Sequence, residues 1–169
     1  MKIACYVHPV LHPNGPNWDY PWFGILARLL RTLRGPHAIE GMLISKPWHH
    51  SLAGKDGTLS LLDGLLIGMV DEISLRQRLR SIGYLPTELD RLAYGIDEKG
   101  HPALQILADE VGRCSHGFEP DVVVAFGAQA DFLGQLWPKA LRLHAETGAY
   151  SRNPYPFSLY FDHLGLYRR

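Results

Sequence analysis

The chain is poor in most features that would classify it at once. It has only two cysteines, Cys5 and Cys114, so no disulfide framework is expected and a reducing cytosol is the default compartment. Cys5 falls inside the first expected strand and reads as a buried free thiol. Neither sign of charge is in excess, with 17 basic residues set against 17 acidic ones over 169 positions. That balance argues against a broad nucleic-acid footprint, which needs a positive stripe. Long apolar runs are missing. The stretch from Leu59 to Val70 carries Asp63 and two glycines, and at about a dozen residues it falls short of the roughly 20 that span a bilayer. Met1 to Val7 runs straight into His8-Pro9, too short and interrupted for a signal peptide. No transmembrane segment is expected. There is no G-x-G-x-x-G, no Walker loop, no Gly-x-Ser-x-Gly elbow and no Cys/His nucleophile arrangement. Internal repeats and low-complexity tracts are also lacking.

What is present is an alternation of strand and helix signals. Phe118-Glu119-Pro120-Asp121 forms an acidic, proline-marked turn that feeds Val122-Val123-Val124-Ala125-Phe126 and stops at Gly127. The run is too apolar for a one-sided strand and predicts one covered on both faces. A short helix over Gln129–Trp137 and a strand over Ala140–His144 follow. At the other end, Ile3–Val7 predicts the first strand, and His8–Asp19 a loop rich in turn signals. Asp19 is placed to cap a helix with Pro21 near its first turn. In that helix Trp22, Phe23, Ile25, Leu26, Leu29, Leu30 and Leu33 recur at helical spacing, with Arg28, Arg31 and Arg34 opposite. Gly35-Pro36 ends it, and Ile39–Ile44 predicts a second strand joined by a right-handed crossover.

The middle is less decisive. Lys46–Thr58 reads as a Trp/His/Gly-rich loop, and Leu59–Val70 as a strand, a buried helix or a hairpin. Asp71–Ile82 predicts a helix with Ile73, Leu75, Leu79 and Ile82 apolar. Leu85-Pro86-Thr87-Glu88 resembles a helix start, and Pro102–Cys114 predicts the last long helix. Phe157–Phe161 reads as a further strand. The expected fold class is α/β: a single Rossmann-like three-layer α/β/α domain over residues 1–169, with a mostly parallel sheet.

This order of elements, with the Glu119–Val124 turn and strand and a later Glu146, resembles the N-terminal half of glycosyltransferases of the GT-B type. Those enzymes face two Rossmann-like domains across a cleft. His144-Ala145-Glu146-Thr147-Gly148-Ala149-Tyr150-Ser151-Arg152, with Tyr155 to Tyr167, is similar to a stretch of bacterial surface-polysaccharide transferases, including retaining β-Kdo transferases. The first resemblance covers most of the chain with loose motifs, the second about its last quarter. Together they imply transfer of a sugar from a nucleotide-sugar donor to a bacterial surface glycan acceptor, in polysaccharide biosynthesis. The narrower one implies a CMP-linked acidic sugar. No cofactor is implied. The implied location is cytoplasmic, either free or peripheral at the inner membrane, and the implied partner is a second Rossmann-like domain in cis or in trans. The chain departs from the pattern in reaching Arg168-Arg169 without room for that domain, so alone it is not expected to turn over substrate. The alternative from another class is a non-catalytic Rossmann-like binding or docking module. A small nucleotide-binding enzyme is a third option, weakened by the missing phosphate loop. An exposed apolar carboxyl edge favours docking of a second domain, and a sealed polar one favours an independent module.

Candidate site residues follow from the rule that open parallel sheets bind ligands past the carboxyl ends of their strands. Glu146 stands at such an end, where it can act as base toward a sugar hydroxyl or accept its hydrogen bond; otherwise it is a surface turn carboxylate. Tyr150 and Arg152 flank the same turn, and arginine suits a phosphate or carboxylate. Asp162, beside His163, ends the last expected strand and serves either as a polar contact or as a turn cap. In the first loop, His8, Asn14, Gly15 and Asn17 are candidate substrate contacts, Gly15 because it lets backbone approach a ligand. Gln129, after the small residues Gly127 and Ala128, can reach a substrate hydroxyl. No metal is expected. His8-x-x-x-His12 needs a helix to present both rings together, and Pro9 and Pro13 oppose one. Trp48-His49-His50 reads as a sugar-stacking or interface patch, or as a loop anchored by one buried Trp.

Overall fold

The computed structural model describes residues 1–7, 20–35, 38–85, 88, 102–126 and 129–145. Five strands form one sheet: β1 (Lys2–Tyr6), β2 (Glu40–Ser45), β3 (Leu66–Met69), β4 (Val122–Phe126) and β5 (Leu141–Ala145). Their order is β3-β2-β1-β4-β5, and every pairing is parallel. The chain builds outward from β1 in one direction, then returns to β1's other side and builds outward again. That is the doubly wound plan of a Rossmann-like domain.

Two separate cores show why the strands are apolar throughout. On one face, Ile3, Cys5, Val7, Leu43 and Val124 meet Phe23, Leu26, Ala27 and Leu30 of helix α1 (Tyr20–Arg34). These four positions form one stripe at helical spacing that takes in Ala27, whereas Ile25 and Leu29, expected on the apolar face, are exposed. On the other face, Tyr6, Met42, Ile44, Val123 and Ala125 are covered by three helices: α3 (Glu72–Ser81), α4 (Pro102–Cys114) and α5 (Gln129–Leu136). Each fully buried Leu or Phe contributes about 1.5–3 kcal/mol of transfer free energy. The sheet is thus the middle of three layers, as expected.

The acidic turn before β4 has a defined job. Asp121 Oδ2 accepts from the Lys2 amide at 2.7 Å, its own amide donates to the Lys2 carbonyl at 2.8 Å, and its carbonyl accepts from the Leu141 amide at 2.9 Å. One residue therefore ties the amino ends of β1, β4 and β5 in register.

The structure corrects the middle of the chain. Instead of a loop, Pro47–Asp56 is a ten-residue helix, α2, with Pro47 in its first turn and Gly57 closing it at φ 79°. Proline at the start and a left-handed glycine past the end bracket a helix, but only His49 and Ala53 are buried on it, too few for a periodic pattern. The anchor is His49 and not Trp48, which is 40% exposed. Leu59–Val70 divides into a short 3-10 helix, Thr58–Leu62, a turn at Asp63-Gly64, and β3. In α3, Leu75 and Leu79 face the core, whereas Ile73, and Ile82 just past the helix, are exposed. Of the expected helix start at Leu85-Pro86-Thr87-Glu88, Leu85 and Glu88 lie among the described residues. The Glu88 carboxylate accepts from the Leu85 amide.

Candidate functional site at the carboxyl edge of the sheet

The doubly wound order has one switch point, between β1 and β4. From β1 the chain leaves toward the α1 face; from β4 it leaves toward the α5 face. Crossovers that part to opposite faces open a crevice at the carboxyl ends of the two strands. Val7 leads into the segment 8–19, and Phe126 into Gly127-Ala128. Phe126 pairs with Ala145 of β5, the residue before Glu146. Three neighbouring strand ends thus open into the segments on which the candidates fall. His8, Asn14, Gly15, Asn17, Glu146, Tyr150, Arg152 and Asp162 themselves lie outside the described residues. Gln129 is the first residue of α5, three positions past the end of β4.

The described part of this edge holds a polar cluster. The Val7 amide donates to the Ile44 carbonyl and the Val70 amide to the Ser45 carbonyl, both at 2.8 Å, so the strand ends are stitched together. Ser45, Lys46 and His49 are fully buried there. Lys46 Nζ stands 4.0 Å from Glu72 Oε2, and Glu72 Oε1 accepts from Arg76 Nε at 3.0 Å. Glu72 opens α3 just past β3, so the ion pair links the ends of two strands. A buried ammonium is costly in a low-dielectric site, and an adjacent carboxylate offsets that cost.

Beside it, Ser45 Oγ and His50 Nε2 are 3.0 Å apart. The Phe23 ring lies 5.2 Å from the His50 ring, edge to face, and 5.3 Å from that of His49. Burial, and next the charge of His49, lower the pKa of His50 below the ordinary histidine value. Its ring therefore stays neutral further into acid than a free imidazole, able to exchange a hydrogen bond with Ser45 at neutral pH. Among the described residues, no group of three or more His, Cys, Asp or Glu side chains is gathered as a metal site.

The same edge also leaves apolar surface in solvent. Trp48 in the first turn of α2, Met69 at the end of β3 and Ile73 in the first turn of α3 are 40%, 53% and 72% exposed. Lys46 and Glu72 were missed in sequence. A lysine before Pro47 and a glutamate in a helix first turn are ordinary surface patterns. The one usable signal was position, since each directly follows a strand end or its cap. Among the described residues, no helix is long and apolar enough to cross a membrane. The chain matches no protein-family model, no curated protein and no solved structure.

Proposed function

We propose that this chain is the Rossmann-like N-terminal half of a GT-B-type glycosyltransferase. It works with a second Rossmann-like domain, in cis or in trans, to move a sugar from a nucleotide-sugar donor to a bacterial surface glycan. The character of the carboxyl edge carries the reading: buried charge at Lys46 and Glu72 lies beside exposed Trp48, Met69 and Ile73. An independent module needs no apolar side chains in solvent around its ligand edge, whereas a half-site that docks another domain does. In this reading the His8–Asp19 loop shapes the cleft, with His8, Asn14, Gly15 and Asn17 along it. Glu146 accepts a hydrogen bond or a proton from a sugar hydroxyl, and Gln129 meets another. Arg152 and Tyr150 bind the phosphate or carboxylate of a CMP-linked acidic sugar. The work is done on the cytoplasmic side, with no cofactor.

The test is an amide NMR titration of the full chain with CMP, UDP and GDP. The expected result is a set of shifts at Val7, Ala125 and Phe126, at the switch point, and in the loop that follows Val7, with CMP strongest. No perturbation by any of the three at millimolar concentration would overturn it. The exposed edge would then belong to a non-catalytic docking module.

A further inference from the structure

Helix α1 spends only part of its apolar surface on the core. Phe23, Leu26, Ala27 and Leu30 are buried. On the opposite side Ile25 and Leu29, one turn apart, are 50% and 36% exposed, with exposed Arg28 between them and exposed Thr32 one turn on. Helix formation does not require aliphatics there, since Lys, Glu or Gln would hold the helix as well. Leu59, in the short 3-10 helix whose Leu61 and Leu62 pack on the same core, is a further exposed aliphatic at 46%.

The charge around these residues is uneven. α1 carries Arg28, Arg31 and Arg34 and no acidic residue. Arg31 and Arg34 each donate from Nη1 to the Asp63 carbonyl at 2.9 Å. That contact holds both guanidiniums without neutralising them, because a carbonyl oxygen bears no net charge. Lys55, in the last turn of α2, is another exposed cation. Against these cations the same helical layer sets the carboxylates of Asp56 and Asp63, and Asp56 Oδ1 is engaged by the Thr58 amide at 2.9 Å. A chain of zero formal net charge thus keeps a cationic excess beside exposed aliphatics on this face.

We propose that the outward face of α1 docks on an anionic lipid bilayer, with Ile25 and Leu29 entering the headgroup boundary and Arg28 and Arg31 meeting lipid phosphates. Aliphatic side chains flanked by cations match a surface that is negative at its rim and apolar just beneath. A second copy is a poorer occupant. Two-fold pairing on this helix sets Arg28 and Arg31 against the same residues of the other copy, with no carboxylate on α1 to oppose them. A nucleic acid would meet the arginines but leave Ile25 and Leu29 against phosphate and water. Among the described residues no helix is long and apolar enough to cross a bilayer, so the contact lies on its surface. α1 runs back across the sheet between the parallel strands β1 and β2, and a bilayer that seats α1 therefore lies along the plane of the sheet. The crevice between β1 and β4 then opens parallel to the membrane, not away from it.

The experiment is flotation of the full chain with vesicles of equal parts phosphatidylglycerol and phosphatidylcholine, set against vesicles of phosphatidylcholine alone. Binding to the anionic vesicles is expected to be about tenfold tighter or more. It is expected to be lost in about 1 M salt, where charges are screened beyond about 3 Å. Arg28→Glu is expected to weaken it about tenfold or more. Ile25→Ser with Leu29→Ser is expected to weaken it about tenfold and to leave the thermal midpoint unchanged, because neither side chain belongs to the core. Equal binding to both kinds of vesicle, binding that neither variant weakens, or no binding to either would overturn the proposal. So would tighter binding to duplex DNA at matched phosphate concentration, which would give the face to a nucleic acid. A dimer that Ile25→Ser with Leu29→Ser dissolves would overturn it as well, in favour of a second copy.

Discussion

Lys46 carries its charge into a place water does not reach, and Glu72 is the carboxylate set against it. The pair is asymmetric. Glu72 keeps a second cation, Arg76, at 3.0 Å, so it stays compensated if Lys46 is lost. Glu72→Gln, by contrast, leaves a buried ammonium without its carboxylate and is expected to cost about 3 kcal/mol. Lys46→Met, which preserves volume and removes the charge, is expected to cost less. Urea denaturation of both variants checks this, and a larger loss for Lys46→Met would refute the assignment. Single residues were the least legible scale in the sequence. Whether a lysine is buried depends on the elements that arrive beside it, here strand β3 and helix α3, and nothing local to Ser45-Lys46-Pro47 announces that.

At the scale of elements, legibility followed the strength of the periodic signal. α1 and α4 bury long stripes and could be read with their boundaries nearly in place. The apolar runs of β1, β2 and β4 were equally plain, because parallel strands covered on both faces leave no alternation to misread. α2 was invisible because it buries only two residues. The exposure of Ile73 and Ile82 was equally hidden, since α3 meets the core through a narrow stripe of Leu75 and Leu79. One glycine holds a close contact between elements. A Cβ on Gly68 of β3 would fall 3.0 Å from the Cys114 carbonyl oxygen at the end of α4 and 3.2 Å from Ile44 Cγ1. The first neighbour is backbone, tied in place by the Cys114 Sγ donating to the Met69 carbonyl at 2.9 Å. Gly68→Ala is therefore expected to destabilise by about 1–3 kcal/mol through overpacking. An unchanged thermal midpoint would show that the end of α4 yields freely.

For the whole molecule, the strand order was inferable only in part. The β1–α1–β2 unit and the β4–α5–β5 unit were each legible, but not that β4 would lie against β1 and create the switch point. That adjacency depends on contacts such as those of Asp121 with Lys2, separated by 119 residues. The candidate site shows the same division. Its location at strand ends was a deduction from topology, while its buried ion pair emerged only when distant segments met. β1 is the strand on which both halves depend, and Cys5 lies at its centre, between Leu43 and Val124. Burial pushes that thiol's pKa far up, and only a thiolate reacts readily with a disulfide reagent. Cys114 is gentler ground: at the end of α4, its pKa is raised to about 11, by burial first and the Glu110 carboxylate next. Labelling in native buffer is thus expected to reach Cys114 first, through fraying of a helix end. Cys5 is expected to react only when the sheet itself parts; equal labelling rates at both cysteines would show that β1 opens as easily as a helix end. The chain so contains its own clock for the event that separates its two halves, read at one sulfur atom without any added probe in the fold.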